Sequence, residues 1–135
     1  VTRARNYSFP TLARSPASTA RRGTPPFQDR HDEAVLRRVL GGPEVMREQY
    51  EHLAELAARD HVTVQILPLN QPVYRCGQNF ILMEFEPPLP TVVSVDGFSS
   101  VNVTDKDTEI WAYRRRFDAM RSEAGRPRET PEFLK

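Results

Sequence analysis

The chain has 135 residues, 39% of them hydrophobic and 27% charged, with a net charge of +1. That is enough for one domain with one modest core and too little for two. No run approaches the roughly 18 apolar residues of a membrane span, and no secretory signal core is present at the start, so the expected location is the cytoplasm.

The small net charge hides an asymmetry. Residues 1–31 hold six arginines (Arg3, Arg5, Arg14, Arg21, Arg22, Arg30) against Asp29, about +5, which leaves about −4 of the +1 total for the remainder. This head contains Pro10, Pro16, Pro25 and Pro26 and lacks helical or strand periodicity, so it is expected to be a disordered basic segment. Four prolines also argue against a DNA-recognition helix there, and a helix-turn-helix is expected to be absent.

From Asp32 the pattern tightens. "DEAVLRRVLGGPEVMREQYEHLAELAARD" opens with an acidic pair and a short apolar segment, then breaks at Gly41-Gly42 with Pro43 where a first helical residue belongs. Met46, Tyr50, Leu53 and Ala57 recur at helical spacing, which predicts an amphipathic helix over about 44–58. Val62, Val64 and Ile66 alternate with polar residues as a strand, and Phe80 to Phe85 is apolar on both faces, as an internal strand is. "TVVSVDGF" is a third β-branched run, and a short fourth lies around 101–103. Thr104, ahead of Asp105, Asp107 and Glu109, suggests the start of a second long helix, with Ile110, Tyr113, Phe117 and Met120 as its buried stripe and Gly125 with Pro127 as its stop.

The resulting expectation is an α/β (α+β) fold: a small, mostly antiparallel sheet of three or four strands with two principal helices. The predicted organisation is a disordered basic segment at 1–31, one α/β regulatory or partner-binding domain at 32–124 and a tail at 125–135.

Few residues carry a chemical signature. Cys76, the only cysteine, sits in the loop "NQPVYRCGQN" between Arg75 and Gly77; as a nucleophile it would need a base, for which His61 is the candidate. His31, His52, His61 and Cys76 lack the close spacing of metal ligands. Asp32 and Glu33 are the available carboxylate pair. In "WAYRRRF" Arg114, Arg115 and Arg116 stand beside Trp111 and Tyr113, but consecutive helical residues fan around the axis and form no flat nucleic-acid face. No catalytic, cofactor-binding or metal residue is assigned, and no cofactor is expected.

The stretches "DEAVLRRVLGGPEVMREQYEHLAELAARDHVTVQILPL", "FILMEFEPPLPTVVSVD" and "YRRRFDAMRSEA" together resemble the domain of unknown function that follows an Xre-type helix-turn-helix in actinobacterial, antitoxin-like transcription regulators. The resemblance covers about 32–124. It implies a non-catalytic regulatory domain that binds a small, toxin-like protein, a second copy of itself or a small molecule, without sequence-specific DNA binding by this chain alone and without membrane association. The alternatives are a stand-alone small-molecule-binding domain and, behind it, a small enzyme using Cys76.

Overall fold

A computed structural model describes residues 3–8, 26–70 and 78–135 of the chain. Its centre is a six-stranded mixed sheet in the order β3-β2-β1-β4-β5-β6, formed by Arg3–Ser8 (β1), Phe27–Asp32 (β2), Val62–Leu67 (β3), Asn79–Glu84 (β4), Val92–Asp96 (β5) and Val101–Thr104 (β6). β1, β2 and β3 run parallel to one another, whereas β1–β4, β4–β5 and β5–β6 are antiparallel pairs. The mixed α+β class is as expected, with three of the five strand pairs antiparallel, and the sheet has six strands rather than three or four.

The difference lies in β1 and β2, which fall within the segment expected to be disordered. Residues 9–25 of that segment lie outside the described residues. Both strands lack apolar periodicity in the sequence, and their pairing supplies what local pattern does not. β2 lies between β1 and β3, with Phe27 opposite Val62 and Asp32 opposite Leu67, so its backbone groups are satisfied on both sides.

The helices follow the sequence signals closely. A short helix α1, Glu33–Leu36, continues directly from β2 with Asp32 as its N-cap. Gly41 and Gly42 take φ of 76° and 101°, a region L side chains avoid, and let the chain reverse into α2, Pro43–Ala57. Pro43 occupies the first turn as expected. The second long helix, α3, spans Asp107–Glu123 with Lys106 at its N-cap. Thr104 instead ends β6, and its Oγ1 accepts the Lys106 N–H at 3.3 Å.

Two cores lie on opposite faces of the sheet, as strand alternation requires. On one face Leu67, Phe80, Leu82, Val93 and Val95 pack against Ile110, Phe117 and Met120 of α3. Phe80 anchors the aromatic contacts, with ring centroids 4.9 Å from Tyr113 and 6.5 Å from Phe117. On the other face Phe27, Val62 and Val64 meet Leu56 of α2, while Ile66 joins Leu36, Leu53 and Leu134. Tyr50 donates its hydroxyl to the Leu36 carbonyl and ties α2 to α1.

The segment expected to be a plain tail has a structural task. After a 3-10 turn at Pro127–Glu129 the chain forms α4, Thr130–Phe133, beside β3. Gly125 N–H donates to Ile66 O at 2.9 Å and Thr130 Oγ1 to Val64 O at 2.7 Å. Two outward carbonyls of β3 thereby gain donors, and the C-terminal segment lies along that edge of the sheet.

Candidate functional site

The least expected feature is a row of buried polar side chains on β2: Asp29, Arg30, His31 and Asp32, followed by Glu33. Alternation directs Asp29 and His31 to the α2 face, in register with Val64 and Ile66, and Arg30 to the α3 face. His31 Nε2 stands 3.1 Å from Asp29 Oδ2, with both side chains almost fully enclosed. The contact is one of opposite charge at close range, and Asp29 Oδ1 accepts no hydrogen bond from the described residues. Burial alone would lower the His31 pKa; the Asp29 carboxylate outweighs it and holds the imidazole above its usual value.

Arg30 is handled differently. One of its terminal nitrogens donates to Gln65 Oε1 at 2.8 Å, and its guanidinium carbon lies 3.8 Å from the centroid of Phe117. Gln65 in turn donates from Nε2 to Gly125 O at 3.0 Å. Strand, helix and C-terminal segment are thus joined through one polar chain, with the cation spread over an aromatic face.

The carboxylate pair Asp32 and Glu33 is occupied by architecture. Asp32 Oδ1 accepts the Ala34 N–H at 2.8 Å as the cap of α1. Glu33 accepts the Leu69 N–H at 2.9 Å through Oε2 and Arg37 Nε at 2.6 Å through Oε1. The Leu69 hydrogen bond, with help from Arg37, holds the Glu33 carboxyl below its ordinary pKa despite the opposing effect of burial.

The remaining candidates do not converge. His61 O accepts the Phe27 N–H at the amino end of β3, whereas His31 is opposite Ile66, five residues along that strand and about 16 Å away at strand rise. His52 lies on α2. No group of three potential metal ligands occurs among the described residues. Cys76, Arg75 and the loop at 71–77 lie outside the described residues.

In "WAYRRRF" the arginines diverge. Arg114 pairs with Glu84 at 2.6 Å, Arg115 lies over Trp111 at 4.8 Å and Arg116 over Tyr113 at 5.5 Å. Tyr113 packs against the core, whereas Trp111 is 59% exposed.

The surface shows a second asymmetry. One register row runs Val64, Asp29, Asn6, Ile81, Ser94 and Val103 across the six strands. α2 packs on β3, at one end of this row. At the other end Val103 and, two residues earlier, Val101 remain 64% and 61% exposed, while Ile81, Met83 and Val92 on the same face are half-buried. Among the described residues no strand lies beyond β6, so the sheet has an open edge bordered by outward-facing valines. The sequence signal for this surface is the Val-x-Val alternation at 101–103, which marks a strand without telling which side is left exposed.

No helix among the described residues is long and apolar enough to cross a membrane. Comparison with curated proteins and with solved structures finds no match to the chain. Residues 11–135 match the family described as a domain of unknown function (DUF5753), which takes in nearly all of the elements above, and the chain belongs to that family.

Proposed function

We propose that this domain is a non-catalytic, partner-binding regulatory module of an antitoxin-like transcription regulator of the Xre type, and that its partner docks on the valine-lined half of the sheet and its open edge. The observation that carries this reading is the contrast between the two edges. β3 has its Ile66 and Val64 carbonyls bonded by Gly125 and Thr130, whereas β6 ends the sheet with Val101 and Val103 exposed. Addition of a strand to such an edge supplies backbone hydrogen bonds for affinity, and alternate side chains on the flanking face supply specificity. The fit to a regulatory module comes from the resemblance of 32–124 to domains that follow a helix-turn-helix, and from carboxylates and histidines that are engaged in architecture or kept apart.

The test is site-specific photo-crosslinking from position 103 in the intact regulator, in cells that carry its neighbouring genes. The reading expects a discrete adduct with a small protein or a second copy, and none from the equivalent probe at Arg59 near the opposite edge. Turnover of a small molecule by the purified chain, with no adduct at 103, would overturn it.

A further inference from the structure

The hairpin that leads into β6 fixes which of its backbone groups point outward. Gly97 donates its N–H to Ser100 O at 2.8 Å, so at position 100 the peptide groups are turned toward β5. Backbone direction alternates along an antiparallel pair, and with Asp96 opposite Val101 and Val95 opposite Asn102 the groups of Asn102 and Thr104 also face β5. Val101 and Val103 therefore turn both N–H and C=O away from β5, on the side where no strand follows among the described residues. Their side chains share one exposed face, and Asn102 is exposed on the other. The four residues of β6 carry neither a charge nor a proline, the features that ordinarily keep two sheet edges apart.

Such an edge is completed by a strand whose free groups have the same two-residue spacing, and β6 is itself that strand. A second copy laid antiparallel, about a two-fold axis through Asn102 and perpendicular to the sheet, sets Val101 opposite Val103 of the second copy and Val103 opposite its Val101. Both pairs are then of the hydrogen-bonded kind, and every outward group of the two strands is satisfied at once. The valines of both copies cluster on one face. On the other, the two Asn102 amides meet as a directly opposed pair within reach of each other. An axis at Val101 or Val103 sends the other valine against Ser99 or Asp105, and a shift by half a residue sets outward groups against inward ones. In the register centred on Asn102 no like charges meet. Asp105 and Lys106 run out beside Ser99 and the fully exposed Phe98 of the second copy.

We propose that the occupant of the β6 edge is a second copy of this chain, joined antiparallel about Asn102 so that the two sheets become one. The proposal rests on the sheet-edge reading above and names its partner. With four residues a side, the paired edge buries less than the roughly 1,200 Å² of a standard interface, so the dimer is reversible and concentration-dependent.

The experiment is sedimentation of the full chain over a concentration series, with two kinds of variant. The parent should show a monomer–dimer equilibrium. Val103→Pro removes an outward N–H from each copy and none that faces β5, so association should weaken about tenfold or more while the denaturation midpoint holds. Cysteines read the register in a Cys76→Ser background, where the introduced thiol is the only one. Asn102→Cys should give a disulfide-linked dimer under mild oxidation. Val101→Cys should not, because the two copies of position 101 lie about 8 Å apart, beyond disulfide reach. A parent that stays monomeric at about 1 mM, a dimer indifferent to the proline, or equal linking at 101 and 102 would overturn the proposal. A monomeric chain whose position 103 crosslinks a different protein refutes this inference and leaves the sheet-edge reading standing. A dimer that neither links at 102 nor gives an adduct at 103 refutes both.

Discussion

Asp29 and His31 face each other across one turn of strand pleat, with Nε2 and Oδ2 3.1 Å apart, in a position where β-strands normally hold aliphatic side chains. Their contact ties stability to pH. Because His31 has a raised folded-state pKa, the pair's contribution is fully present below the unfolded value of about 6.5 and is lost as pH rises through the folded one. Asp29→Asn should therefore cost about 1 to 3 kcal/mol at pH 5.5, where it leaves a buried imidazolium without its counter-charge. The cost should shrink as pH rises through the folded value. Urea denaturation over a rising pH series follows it, and a loss that does not change with pH would show that the pair is not an ion pair.

Glu33 has the opposite sign. Its carboxyl is held below 4.5, so its contribution is present above that value and disappears as pH falls through the lower folded one. Glu33→Gln keeps an acceptor for Leu69 but loses the charge. The variant should be about 1 kcal/mol less stable at pH 7 and should lose less than the parent on acidification below 4.5. Acid titration followed by circular dichroism gives the comparison.

Phe117 is wholly enclosed between Phe80, Met120 and the guanidinium of Arg30. Phe117→Ala should cost about 3 to 5 kcal/mol in chemical denaturation. A loss under about 1 kcal/mol would mean that α3 is not packed on the sheet.

Thr130 closes the β3 edge with one hydrogen bond to Val64 O. Thr130→Val preserves shape and removes only the donor, leaving a buried carbonyl without it. The expected loss is about 1 to 2 kcal/mol, measured by the denaturation midpoint, with Thr130→Ser recovering part of it. Equal stability of the threonine and valine forms would show that the carbonyl finds another donor.

Much of this fold was legible where periodicity and punctuation agree. Gly41-Gly42-Pro43 announced α2, and Ile110, Phe117 and Met120 gave the buried stripe of α3. β2 was hidden because burial there is secured by partners distant in sequence. Asp29 and His31 offset each other's charge, Arg30 is held against Gln65 and Phe117, and no local pattern announces either arrangement. Strand direction was equally hidden, since alternation sets the face of a residue and not whether its neighbour runs parallel. Of the candidate surface, Val101 and Val103 were readable as a strand. Their exposure depends on α2 packing over β3, at the other end of the sheet.

The central claim is that the open half of the sheet receives a protein partner, and the most direct measurement compares hydrogen exchange of the β6 amides in the free chain and in the complex recovered by crosslinking at position 103. The account predicts that protection at 101–104 rises on binding, while β3, already bonded to Gly125 and Thr130, stays unchanged, and that Val101→Lys/Val103→Lys abolishes the complex without altering the denaturation midpoint by more than about 0.5 kcal/mol. A complex that forms undiminished with both lysines in place, or that leaves β6 exchange unaltered, would contradict it.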